Sequence, residues 1–114
     1  MKVVINADFG GFGLSDEAIM AYSERAGLNL VGKENKFGHT IFYVDGIFDD
    51  ENVFWENDLV RNDENLVKVV EALGDAANGR YSSLKIVEIP DDVNWYIEEY
   101  DGREHIAERH RTWE

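Results

Sequence analysis

The run from Lys2 to Met20 constrains the fold more than any other stretch, because it joins a strand to a helix through a crossing built on glycine. Val3, Val4 and Ile5 are β-branched and suit a central strand. Gly10, Gly11 and Gly13 then let the backbone approach another group closely, and Ser15-Asp16-Glu17 supplies a helix cap with acidic residues in the first turn. The spacing predicts a helix from about Ser15 to Ala26, with Ala18, Ile19, Tyr22 and Ala26 on its buried face and Gly27 as its stop.

The rest of the chain alternates strand and helix signals. Leu28 to Val31 reads as a short strand, Gly32 to Gly38 as a charged turn, and Thr40 to Val44 as a β-branched and aromatic strand. From Ile47 to Val60 the apolar residues keep no period, and the segment reads as an irregular excursion. A second helix is capped by Asn62 or Asp63. Its stripe is Leu66, Val69, Val70, Leu73 and Ala77, Asn78-Gly79 closes it, and Gly74 within it marks close packing or an early end. Leu84 to Ile89 is a strand stopped by Pro90.

Asp101-Gly102 is the dipeptide of a two-residue type I′ hairpin. It predicts strands from Val93 to Tyr100 and from Arg103 to Thr112, with Ile97 opposite Ile106, Glu98 opposite His105 and Tyr96 opposite Ala107. Trp95, Ile97 and Ile106 then share the core side, and Tyr96, Glu98, His105 and Arg109 the other.

Composition bounds the partners. The chain has 114 residues, enough for a single domain spanning 1–114, and it should fold alone or as a small homo-oligomer. Its 11 Lys plus Arg face 24 Asp plus Glu, a formal charge of -13 that repels nucleic-acid phosphates and anionic membranes. Such a surface attracts a basic protein; its plainer use is solubility. No cysteine is present, which removes disulfides, thiol nucleophiles and Cys zinc sites. The absence of a signal-peptide pattern and of a bilayer-length apolar run points to the cytosol.

Several stretches bear on chemistry. The glycine crossing resembles a phosphate cradle at a helix N-terminus, but it matches neither the dinucleotide nor the Walker spacing and is flanked by Asp8, Asp16 and Glu17. A turn for close packing is the simpler reading. Asp45, Asp49, Asp50 and Glu51 offer hard oxygen ligands without EF-hand spacing. His105 and His110 point to opposite faces of one strand, and no Ser, His and acid set can be assembled from spacing. No catalytic residue, metal site or cofactor is therefore assigned. Arg103, Arg109 and Arg111 are half of the chain's six arginines. Together with His105 they can grip a carboxylate or phosphate, with Tyr96, Tyr100 or Trp113 stacking on a planar group. Arg109 and Arg111 project from one side of the strand, about 7 Å apart at strand rise. Alternatively these arginines neutralise Glu98, Glu99, Glu104 and Glu108 across the hairpin.

Taken together, Lys2-Val3-Val4-Ile5-Asn6, Gly10-Gly11-Phe12-Gly13-Leu14-Ser15, Asn78-Gly79-Arg80, the run from Leu84 to Val93, Glu98 to Gly102 and His110-Arg111-Thr112-Trp113 resemble a family of small proteins encoded by tailed bacteriophages. The likeness covers both ends of the chain and little of the middle, from about Gly32 to Leu59. Members of that family often carry Arg-Cys-Tyr before the double glycine, where this chain has Ala7-Asp8-Phe9, so any site served by that tripeptide is altered here. The resemblance brings no activity with it.

The expected fold is α+β: a mainly antiparallel sheet of four to six strands, two helices packed on one face, and a C-terminal β-hairpin as part of the sheet. The resemblance, size and acidity together imply a non-enzymatic accessory protein that binds a host bacterial protein in the host cytoplasm, with inhibition of a defence system as its concrete form. Binding of an anionic small ligand such as a nucleotide through the terminal arginines, or a small metal-dependent hydrolase or nuclease built on the acidic loop, are the alternatives. The residues expected to bind are Tyr96, His105, Arg109, Arg111 and Trp113.

Overall fold

The computed structural model describes residues 1–109. The elements run in the order β1 (Lys2–Asn6), α1 (Asp16–Ala26), β2 (Leu30–Glu34), β3 (Thr40–Val44), α2 (Glu64–Leu73), β4 (Leu84–Glu88), β5 (Trp95–Tyr100) and β6 (Arg103–Glu108). This is the α+β class. The strands do not merge into one sheet. They form three two-stranded antiparallel ladders, β1 with β4, β2 with β3, and β5 with β6. The terminal hairpin thus stands as its own ribbon instead of extending the sheet, and the molecule is drawn out to 53 × 31 × 28 Å.

Both helices begin and end on identifiable chemistry. The Ser15 hydroxyl accepts from the Ala18 N–H at 3.1 Å, and Gly27 closes α1 in the left-handed region at φ 71°. Asp63 caps α2 by accepting from Asn65 and Leu66. Its second oxygen accepts from the Tyr22 hydroxyl at 2.8 Å and ties the two helices together. Burial first, then Asp63, pushes the Tyr22 phenol up to about 12. α2 stops at Leu73, not at Ala77. Gly74 adopts φ 56°, which breaks the α-helical run, and residues 74–77 continue as a single 3₁₀ turn that still buries Ala77.

The core lies between the helices, one face of β1–β4 and the inner side of β2–β3. Val4, Leu14, Ile19, Leu30, Phe42 and Leu66 belong to it, with Leu84 and Ile86 packed against it. Because side chains alternate along a strand, Val4 and Ile86 face the helices while Ile5, Lys85 and Val87 face the other way. β2 begins two residues later and ends three later than its apolar residues suggest. Pairing with Thr40–Val44 fixes the register, Leu30 opposite Val44 and Glu34 opposite Thr40, and confines the turn to residues 35–39. Residues 47–60 form the expected irregular excursion, with two short 3₁₀ turns at Asp50–Asn52 and Glu56–Asp58.

The Gly-rich crossing is a packing device. A Cβ on Gly10 would sit 2.0 Å from the Tyr81 carbonyl oxygen, one on Gly102 2.3 Å from the Phe9 carbonyl oxygen, and one on Gly79 2.9 Å from the Gly13 carbonyl carbon. Two backbone segments, residues 79–81 and the hairpin turn at Gly102, close on the crossing. The Leu14 N–H, the donor that would hold an anion there, donates to the Glu56 carboxylate. That donor is therefore already paired within the chain, by a carboxylate that would repel an anion. Among the described residues no helix is long and apolar enough to cross a membrane.

Candidate functional site

The terminal hairpin forms in the register set by Asp101-Gly102. Both turn residues have positive φ, 51° and 87°, and the pairs Tyr96–Ala107, Ile97–Ile106 and Glu98–His105 are those expected. Beyond Glu108 the pairing continues through the Arg109 N–H, which donates to the Asn94 carbonyl at 2.7 Å. The remainder of the expected strand, with the candidate residues Arg111 and Trp113 and with His110, lies outside the described residues.

Tyr96, Glu98, His105 and Arg109 come together on one exposed face. The Tyr96 hydroxyl donates to Glu98 Oε1 at 2.6 Å, and His105 Nε2 lies 2.7 Å from Glu98 Oε2. The Arg109 guanidinium carbon stands 4.6 Å from the Tyr96 ring centroid, a cation–π arrangement. The hydrogen bond from Tyr96, then that from His105, holds the Glu98 carboxyl below its ordinary 4.5. The hydrogen bond to Glu98, chiefly, pushes the Tyr96 phenol above its ordinary 10.0. Glu98 thus stays ionised through the neutral range and acts as a fixed acceptor that orients its neighbours, which does not suit a proton shuttle working near pH 7. Among the described residues Ser, Thr and Cys are absent from this face.

Arg103 and Arg109 do not neutralise the hairpin's described carboxylates. Among the described residues neither Arg103 nor Arg109 lies within ion-pair distance of one, since Glu98 is engaged by His105 and Glu104 by Arg61. Arg103 instead stands 5.8 Å from the Phe9 ring centroid.

What fastens the hairpin to the body is a buried polar node. Glu104 is 7% exposed. Its Oε1 accepts from the Asn6 backbone N–H at 2.8 Å and from Arg61 Nη1 at 2.6 Å, and its Oε2 from Arg61 Nη2 at 2.9 Å. The Arg61 guanidinium carbon stands over Phe12, 3.6 Å from the ring centroid, while the Arg61 carbonyl accepts from the Val4 N–H. Asn6 is wholly buried and uses both ends of its amide: Nδ2 donates to the carbonyls of Asp8 and Gly102, and Oδ1 accepts from Asp8 and Ser83. One signal of this node was present in the sequence. In the hairpin register Glu104 falls on the side of Ile97 and Ile106, where an acidic residue needs a buried counter-charge.

Beside the hairpin runs a groove of about 660 Å³, floored by the outer face of β1–β4 and walled by Tyr100, Arg103, His105 and Ile106. Sequence reasoning missed its other members, Phe9 and Lys85, because they come from distant segments with no common spacing. The acidic loop serves local structure: Asp49 accepts from the backbone and side chain of Asn52 at 3.0 and 2.6 Å. Among the described residues no group of three or more His, Cys, Asp or Glu is placed to hold a metal ion. Comparison with family models, with curated proteins and with solved structures finds no match to this chain.

Proposed function

We propose that this chain is a non-enzymatic accessory protein of the tailed-bacteriophage kind, acting in the host cytoplasm by binding a host protein, with inhibition of a defence system as the form to test. The observation that supports it is the exposed row of Tyr96, Glu98, His105 and Arg109. Tyr and Arg are the residues that carry binding energy at protein interfaces, and here their rotamers are held before a partner arrives. The formal charge of -13 favours a partner with a basic surface and speeds its approach.

The test is capture from a host lysate by the immobilised chain, compared with a Tyr96→Ala, Arg109→Ala double variant. The expected result is a captured basic protein that is lost with the double variant and weakened by salt, since charges are screened beyond about 8 Å at physiological ionic strength. Thermal stability should change little, because exposed pairs contribute about 0–1 kcal/mol. Capture unaffected by both substitutions would overturn the reading. So would magnesium-dependent phosphodiester cleavage abolished by Asp49→Asn with Asp50→Asn.

A further inference from the structure

We propose that the groove between the outer face of β1–β4 and the terminal hairpin binds a small amphipathic anion, an aliphatic body with one carboxylate head in the manner of a medium-chain fatty acid. This goes beyond the protein-partner reading and does not depend on it. The volume of about 660 Å³ lies in the usual range for small-molecule sites.

The floor is apolar by strand alternation. Ile5 and Val87 project away from the helices, and Ile106 closes the groove from the hairpin side. The unpaired charge at the groove, among the described residues, is positive. Lys85 and Arg103 line it, and among the described residues neither has a carboxylate within ion-pair distance. Glu104 is the single acidic residue in the lining, and both its oxygens are taken by Arg61 and Asn6. In a chain of charge -13, an apolar trough with two cations unpaired among the described residues, Lys85 opposite Ile5 on the floor and Arg103 on the wall, is complementary to an anion that brings its own apolar surface.

The same lining argues against a nucleotide. No Asn, Gln, Ser or Thr lines the groove, so a base laid on its floor would find side-chain partners only at Lys85 and at the Tyr100, Arg103 and His105 wall. An aliphatic chain needs no such partners. Its carboxylate can reach Lys85 or Arg103, whose guanidinium carbon stands 5.8 Å from the Phe9 ring centroid.

A free fatty acid and a lipid leaflet offer the same head-and-tail chemistry, and the experiment separates them. The full chain, labelled with ¹⁵N and on its methyl groups, is titrated with decanoate below its micellar concentration, with decanol, with adenosine monophosphate, and with phosphatidylglycerol vesicles. The expected result is saturable shifts at Ile5, Val87 and Ile106 with decanoate, at least tenfold weaker binding of decanol, and no saturable response to the nucleotide or the vesicles. Lys85→Ala with Arg103→Ala should weaken decanoate at least tenfold. Val87→Phe, which fills the trough and leaves both cations in place, should also abolish binding. Equal binding of decanol, unchanged binding in the charge variant, or a response to vesicles alone would overturn the proposal. So would the absence of saturable decanoate binding to a chain whose spectrum shows it folded.

Discussion

Replacing Glu104 with alanine should cost about 3–5 kcal/mol of folding stability. The substitution leaves the Asn6 N–H without an acceptor on a residue that is 0% exposed, a loss of about 1–3 kcal/mol. It also leaves the Arg61 guanidinium, whose side chain is 14% exposed, without its counter-charge, and removing one partner of a buried pair costs about 3–5 kcal/mol. The two penalties arise from one carboxylate and overlap, so the larger range is the expected total. Against a typical domain stability of about 5–15 kcal/mol, this is a large fraction. Urea unfolding measures it: with a slope of about 2 kcal/mol per molar, the midpoint should fall by about 2 M. Arg61→Leu combined with Glu104→Leu should recover part of the loss, because no unpaired charge then remains; only the Asn6 donor stays unsatisfied. A loss below about 1 kcal/mol for Glu104→Ala would show that water reaches the node and would refute the account of how the hairpin is held.

Gly10→Ala should destabilise by more than about 1 kcal/mol, since its Cβ would strike the Tyr81 carbonyl oxygen at 2.0 Å, backbone that cannot rotate away; thermal melting at wild-type level would refute this. Glu56 tests pH dependence. Burial chiefly, with Asp16 adding to it, raises its carboxyl above the ordinary 4.5, so the folded chain holds the proton to higher pH than the unfolded chain, and this group lowers stability as pH rises through that interval. In Glu56→Gln the amide oxygen can still accept from Leu14, and the fall in stability just above pH 4.5 should flatten; an unchanged slope counts against burial as the cause. On the hairpin, Tyr96→Phe should move the NMR titration midpoint of the Glu98 carboxyl back up toward 4.5 by removing the first cause of its depression, and a static midpoint would contradict the assigned hydrogen bond.

Features written in adjacent residues were the legible ones. Asp101-Gly102 fixes a hairpin register within its own turn, and Ser15 and Gly27 bound α1 by chemistry local to each end. Where two local signals competed, the end of α2 was the harder to place: Leu73 and Ala77 share a helical stripe, yet the positive φ of Gly74 breaks the run between them. Strand assignments alone do not say which strands share a sheet. β5 and β6 find their hydrogen bonds in each other, and the edge of β1 is met by the Arg61 carbonyl and the Glu104 carboxylate instead of a third strand. Arg61 and Glu104 are 43 positions apart, Phe9 and Lys85 further still, and no periodicity connects residues that only the folded chain brings together.

The position of β1 also bears on how the chain is made. Synthesis releases Val3, Val4 and Ile5 well before the strand that pairs with them, Leu84–Glu88, and before Glu104, whose carboxylate meets Asn6. At about 5–20 residues per second, the nascent strand waits on the order of 4–20 s for its mates. Through that interval α1 can dock on α2, but both edges of an apolar strand stay open to other nascent chains on the same message. The open interval for pairing thus ends in two steps, first at Leu84–Glu88 and then at Glu104.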